Sequence, residues 1–367
     1  MILNNKKGMA LIVTLAVVAI LVAGAVEIGK ILYNSAGYVK KDADTYKTYQ
    51  IAIAGINLAQ IILSKDAEDN EIDSVQEGWA DSERLKKAVS MFGYDKSTLE
   101  IKISDELGKI QINALLKEFP GHEYNEDQRI IWQKLLDFAI SSDKSTDIRD
   151  SSEMINCIKD WLDSNDNDSI EGISGAESDY YLQLNPSYQC ANGPLNKTSE
   201  LFMVKGFTKD MFKIVSDDVS EDIKQLLDKE IIDVFTIHGI SENQLKNKKF
   251  TFPGKININC ANKLVLAAIL PTGMEDSAEE LVSFREAKEN GVFINNLDKG
   301  WYKRVVNFSD KETKRFERVI RYSSNIFKVE AIAKVNNTKV IVSAIVKRMK
   351  MGKEKKWATH ILRFNKG

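Results

Sequence analysis

Eighteen consecutive uncharged residues, MALIVTLAVVAILVAGAV from Met9 to Val26, constrain this chain more than any other feature in it. As a helix rising 1.5 Å per residue they span about 27 Å, close to the ~30 Å of hydrocarbon in a bilayer. Lys6 and Lys7 stand just before the run and no charge follows it until Glu27. That bias keeps the amino end in the cytoplasm and carries the rest of the chain across. A basic start, an apolar stretch and the small triplet Ala23-Gly24-Ala25 also describe a cleavable secretory signal. Two features weigh against cleavage. Good helix formers continue to Asp66, with no proline before Pro120, and nothing marks a stop at the small residues. Ile28, Leu32, Ala36, Val39, Ala43, Tyr46, Tyr49, Ile53, Ile56, Ala59 and Leu63 also recur at spacings of three and four, as on one face of a helix. The expectation is one helix, half in lipid and half outside, about 80 Å long at full continuity.

The remainder is long enough for two or three domains with real cores. Of 367 residues, 43% are hydrophobic and 28% charged, with 51 Lys and Arg against 53 Asp and Glu. Those values exclude a disordered chain and a polytopic membrane protein, and they supply no broad attraction for nucleic acid. His122, His238 and His360 are far apart in sequence, and three cysteines make no disulfide framework, so a histidine-built zinc site is not indicated.

Leu99 to Ile103 alternates apolar and polar residues as a strand does. Next comes Gly108-Lys109-Ile110-Gln111-Ile112-Asn113, echoed far downstream by Gly254-Lys255-Ile256-Asn257-Ile258-Asn259. Asn113 and Asn259 are expected as helix N-caps at two strand-to-helix junctions. Between the echoes, residues 126–165 and 199–246 read as helical, with a helix, glycine turn and helix from Leu201 to Met211. A second such pair follows, Leu264 to Pro271 and then Ala278 to Arg285. Paired helical hairpins fit one compact helical domain inserted after the first strand. The last 45 or so residues alternate again in three runs, with Asn336-Asn337 and Met351-Gly352-Lys353 as turns, which predicts an antiparallel meander. Eight Lys and Arg against Glu354 between Lys347 and Lys366 read as edge-strand lysines that discourage pairing with other chains.

The segment Asp160 to Tyr181 holds seven carboxylates and no Lys or Arg. Repulsion at each close pair costs on the order of 1 kcal/mol even in water, so either the loop is fully solvated or a cation relieves it. Short oxygen donors at one-residue spacing, glycines and no His or Cys pair favour Ca²⁺ over Zn²⁺ or Mg²⁺. Asp163, Asn165, Asn167 and Ser169 occupy positions 1, 3, 5 and 7 of an EF-hand-like loop and Glu171 position 9, but Asp168 and Ser174 replace its glycine and its last glutamate. By donor chemistry Asn165, Asp166, Asp168, Glu171 and Asn192 are candidate ligands. Cys157 and Cys190 flank the loop with 32 residues between them, and in an oxidising compartment a bridge there would contribute about 3 kcal/mol. Asp105-Glu106 is the one adjacent acidic pair with a catalytic look, and no nucleophile motif or glycine-rich phosphate loop accompanies it.

The short basic leader ending in Gly8, followed by Met9-Ala10-Leu11-Ile12-Val13, resembles the class III signal of the type IV pilin superfamily. That resemblance implies cleavage between Gly8 and Met9 by a prepilin peptidase, methylation of Met9, and a single-pass inner-membrane protein with its C-terminal domain in the periplasm. Ordinary members carry glutamate at the fifth mature position, where this chain has Val13. A subunit with no neighbour above it needs no buried carboxylate to pair a neighbouring ammonium, so the departure suggests a filament tip.

The run Asp160-Trp161-Leu162-Asp163, then Gly175 to Tyr181, Tyr188, Asn192-Gly193-Pro194-Leu195 and Ser199-Glu200-Leu201, resembles the central signature of the protein K family of type II secretion, the largest minor pseudopilins. The resemblance implies an α+β fold: a pilin-like long N-terminal helix packed on an antiparallel sheet, with a large inserted α-helical domain that is SAM-like or helix-hairpin-helix-like. It implies a leader over 1–8, a membrane part over 9–28, pilin-like helix and first strand over 29–113, the insert over 114–322 with an acidic calcium loop at 160–181, and closing strands over 323–367. Asp163, Glu177 and Asp179 fall on the family's acidic positions, one or two calcium ions are implied, and the partners are minor pseudopilins of types I and J. The role implied is tip capping and initiation of the pseudopilus, without catalysis. A second resemblance, of Ile256 to Asn259, Leu270-Pro271, Arg285 and Gly291-Val292-Phe293 to the helix-hairpin-helix of exported competence proteins, implies DNA binding instead, although the turn ends in Glu275 and Asp276.

Overall fold

The structure is a computed structural model that describes residues 6–93, 98–142, 150–164, 175–208, 211, 234–241, 248–352 and 356–366. Helix α1, Lys6–Asp69, is continuous over 64 residues, about 96 Å at ideal rise. Thr14, Thr45 and Thr48 turn their hydroxyls back onto carbonyls three or four residues earlier, so these side chains do not compete with the helix. The described part of α1 is exposed as far as Ala43. From Thr48 one face is buried, through Ile51, Ala52, Ile56, Ala59 and Leu63.

That face lies on a four-stranded sheet. Helix α2, Ser82–Met91, is capped by Asp81 and buries Leu85 and Val89 beside β1, Leu99–Asp105, whose Leu99, Ile101 and Ile103 point inward. The chain then leaves the sheet and returns only at Ile326. The insert runs through β2 (Ile110–Gln111), a 3₁₀ turn over Ile112–Leu115, α3 (Glu126–Ser142), α4 (Ser151–Leu162), α5 (Ser178–Leu182), β3 (Phe235–Thr236) and β4 (Ile256–Asn257). It continues through α6 (Lys263–Ile269), α7 (Ser277–Glu286), the β5 and β6 hairpin (Lys288–Glu289, Val292–Phe293), α8 (Asp310–Val319) and β7 (Ile320–Arg321). The closing meander is β8 (Ile326–Val335), β9 (Thr338–Met351) and β10 (Lys356–Lys366), and the sheet order is β1-β8-β9-β10, antiparallel throughout. Phe327, Val329, Ala331 and Ala333 of β8 and Val340, Val342, Ala344 and Val346 of β9 face α1. The close approach depends on Gly55, where a Cβ would stand 2.9 Å from both Ala331 Cβ and Leu99 Cδ1.

The expected α+β architecture, with the long helix, first strand and meander, is present. Two cores result, one between α1 and the sheet and one within the insert, the latter starting at Ile110 and built around Trp132, Phe235 and Trp301. The two sequence echoes do equivalent work: β2 pairs in parallel with β3, and β4 in parallel with β7. They also lock together reciprocally. A Cβ on Gly108 would meet the backbone of Cys260 and Ala261 at 3.1 Å, and one on Gly254 would meet Ala114 Cβ at 2.6 Å.

Three local expectations are corrected. Asn113 is not an N-cap: Gln111 caps that 3₁₀ turn, and Asn113 instead exchanges two hydrogen bonds with the backbone of Leu195 (2.8 and 3.2 Å). Asn259 is not one either, since Asn262 caps α6, and Asn259 accepts from Trp301 Nε1 (2.7 Å) and donates to the Tyr322 carbonyl. Within 199–246 the described residues form a 3₁₀ turn over Thr198–Met203 and strand β3 rather than long helices, and the rest of that segment lies outside the described residues.

A buried polar network joins the two cores. Arg348 of β9, 4% exposed, donates to Asp66 Oδ2 (2.8 Å), to Asp73 and to the Leu63 and Ser324 carbonyls. Asp73 and Asp105 accept from the amide and hydroxyl of Ser324, and Asn257 of the insert donates to Asp105 at 2.8 Å. Burial, opposed by these donors, pushes the carboxyls of Asp66 and Asp105 up to about 6 and that of Asp73 upward.

Candidate metal centre

Helix α4 begins at the cap Asp150 and runs to Leu162, so Asp160 and Asp163 fall one turn apart on the same side of its end. Both are 1% exposed. Asp160 Oδ2 accepts the amide of Ala176 at 2.9 Å, which holds the returning chain against α4. That return places Glu177 at the N-cap of α5, where its side chain makes no capping hydrogen bond. Carboxylate oxygens of Asp160, Asp163 and Glu177 lie within 4.8 Å of one another. The same two helices pack through aromatic rings: Trp161 meets Tyr181 edge-on at 5.0 Å, and Tyr188 stacks on Tyr181 at 5.3 Å. Burial drives the Tyr181 phenol far above its usual range, and its oxygen accepts from the Lys205 amide at 3.1 Å.

Three carboxylates brought this close in a buried place repel strongly. One positive group is built in: Lys159 Nζ stands 3.6 Å from Asp163 Oδ2, with both side chains about 97% buried or more. It also lies 5.3 Å over the ring of Tyr124. The donors are all oxygens, with one-turn spacing on a helix and a reach that suits the 2.3–2.6 Å bonds of Ca²⁺. Asn192 remains a candidate oxygen donor. Its Oδ1 is buried and accepts no hydrogen bond, and its backbone is held at φ +46° two residues after Cys190, whose amide is tied to Ser178. The residues present fit a calcium ion.

Among the eight ligands expected from sequence, Asp163 and Glu177 are brought together. Asp179 is exposed on the first turn of α5 and is not among the three clustered carboxylates, and Asn192 is half-buried. Asn165, Asp166, Asp168 and Glu171 lie outside the described residues. Asp160 is the unanticipated member, and its signal was its spacing of three from Asp163. Cys157 and Cys190, named above as a possible bridge, are both buried thiols in this structure. The Cys190 sulfur is turned to the Ala176 carbonyl (3.7 Å), and burial pushes the Cys157 thiol up to about 12. A second triad, Asp66, Asp73 and Glu77, is equally close, but Arg348 already pairs with two of its members.

The α6–α7 turn is closed on itself. Gly273 has φ +85°, and its amide, the donor a phosphate would need, donates to Glu275 at 2.8 Å. Lys134 pairs with the same carboxylate at 2.7 Å. At the other end of the molecule Gly8, Met9 and Val13 are exposed along α1, and the apolar window that begins there buries nothing against the rest of the fold.

An apolar helix that continues onto an antiparallel sheet, with a second core looped out between β1 and β8, defines a pilin-like protein carrying an inserted domain. The particular resemblance is to protein K of type II secretion. Residues 108–219, within the looped-out part, match the family "Type II secretion system (T2SS), protein K". The putative type II secretion system protein K of Escherichia coli K12 is 23% identical over 221 residues, 57% of this chain and 61% of that one. Type II secretion system protein K of Pseudomonas aeruginosa PAO1 is 26% identical over 212 residues, 55% of this chain and 58% of that one. The chain thus spans about three fifths of the length of these curated relatives. A chain in the crystal structure of the GspK-GspI-GspJ complex from enterotoxigenic E. coli shares the fold, with TM-score 0.57 and 14% identity, over 90% of this chain and 99% of that one.

Proposed function

We propose that this chain is a minor pseudopilin of type II secretion that sits at the tip of the pseudopilus, initiates its assembly and takes no catalytic part. The observation that carries the reading is the position of the match to protein K: it falls on the segment that leaves the sheet between the paired strands β1 and β8. A mass of that size above the pilin-like platform leaves no room for another subunit to stack. The exposed α1 supplies the lateral packing surface, the apolar Met9–Val26 stretch anchors it in the inner membrane, and the sheet and insert stand in the periplasm. Cleavage after Gly8 and methylation of Met9 complete the mature subunit, whose Val13 lacks the carboxylate a shaft subunit needs. The relative named for a complex with GspI and GspJ supports minor pseudopilins of types I and J as partners.

Asp160, Asp163, Glu177 and Asn192 hold calcium in this reading. The ion supplies the positive charge that ties the end of α4 to the start of α5. The test is to purify pseudopili carrying an epitope on this chain. Label at one end only, co-purification with types I and J, and a mature chain beginning at methylated Met9 are the expected results. Label along the shaft, or a mature chain beginning at Val26, would overturn the reading.

A further inference from the structure

The acidic centre carries its own cation. Lys159 reaches Asp163 along one turn of α4, at i and i+4, with 3% and 2% of the two side chains exposed. A lysine is rarely so deep unless paired. Its ammonium is held from a second side by the face of Tyr124, 5.3 Å away, and Tyr124 is itself fixed by its hydroxyl on Asn156 at 2.8 Å. The attraction to the ring does not depend on Asp163, so the ammonium keeps a favourable seat when that carboxylate has another partner.

We propose that Lys159 is the resident counter-ion of the Asp160, Asp163 and Glu177 centre, holding it closed without metal and competing with calcium for Asp163. This rests on the calcium reading above and adds a regulatory device to it: calcium exchanges with a built-in charge rather than entering an open, repelling site. The consequence is a centre that stays folded at low calcium and binds the ion with moderated affinity.

The experiment uses the full chain in detergent, comparing wild type with Lys159→Met and Lys159→Arg. Thermal unfolding is followed in chelator and across a calcium titration, with Trp161 fluorescence as the binding signal. In chelator Lys159→Met unfolds several degrees below wild type, and calcium restores it to the wild-type midpoint or above. Its calcium affinity rises by about tenfold or more, since one competing charge at short range is gone. Lys159→Arg, which keeps the charge, stays near wild type in both measurements. Equal calcium affinity in wild type and Lys159→Met, or a loss of stability that calcium does not repair, would overturn the role of Lys159 alone. Absence of a calcium response in all three proteins would overturn the calcium reading and this inference with it.

Discussion

Two carboxylate triads of nearly equal size solve the same electrostatic problem differently. Asp66, Asp73 and Glu77 at the junction are met by Arg348, whose planar guanidinium reaches two carboxylates and two carbonyls at once. Glu77 is further saturated by Asn70, the Ser74 amide and the Trp79 indole. At the other triad Lys159, a point charge, stands 3.6 Å from Asp163 Oδ2. A five-donor fork closes a site, whereas an ammonium leaves it able to take a second cation. Acidity alone therefore does not distinguish a structural network from a metal centre. What distinguishes the two is the geometry of the cation that each contains, a planar fork against a point charge.

The largest test of that contrast is Arg348→Met. Removing the fork strands Asp66 and Asp73 in the interior, and a loss of about 3–5 kcal/mol is expected in denaturant unfolding. A loss below about 1 kcal/mol would mean the junction is not held by this charge. Next comes the metal centre. At a calcium concentration a hundredfold above its Kd, the ion adds about 2.7 kcal/mol to stability. Asp163→Asn and Asp160→Asn each abolish that increment, while Asp179→Asn leaves it intact. Calcium stabilisation that survives Asp160→Asn would place the ion elsewhere.

The smallest effect is a pH dependence, which the junction should show and the second triad need not. Burial pushes Asp66 and Asp105 up to about 6 and Glu77 up to about 7. The native form therefore keeps protons that the unfolded chain has released above about pH 4. Their contribution is full below that pH and is lost as pH rises through 6 to 7. Stability in chelator should fall steadily between pH 5 and pH 7.5, and Asp105→Asn should flatten the slope. A curve that rises across that window would contradict the burial of these groups.

Much of the fold was legible because it is written in local periodicity. The apolar run, the Tyr49 to Leu63 part of the stripe along α1, β1 and the meander follow from spacings of three, four and two, which report the face each residue presents. Asp163 and Glu177 were marked by the resemblance to the protein K family, whose acidic positions they match. The errors share a cause. Asn113 and Asn259 look like caps by position, yet their partners, Leu195 and Trp301, are 82 and 42 residues away. Arg348 sits in a run of lysines that belongs on an edge, and only the fold carries it inward to Asp73.

Sequence alone settled that this chain has a long apolar helix running onto an antiparallel sheet, and that an acidic segment rich in oxygen donors lies in its middle. Hydrophobic burial and ligand type act over a few residues and can be read along the chain. Which charges become buried, and which of them meet, was decided by tertiary structure. Arg348 closes one triad from 275 residues beyond Asp73, while Lys159 meets Asp163 within a single turn of α4. The strength of a buried charge depends on the donors the whole fold assembles around it.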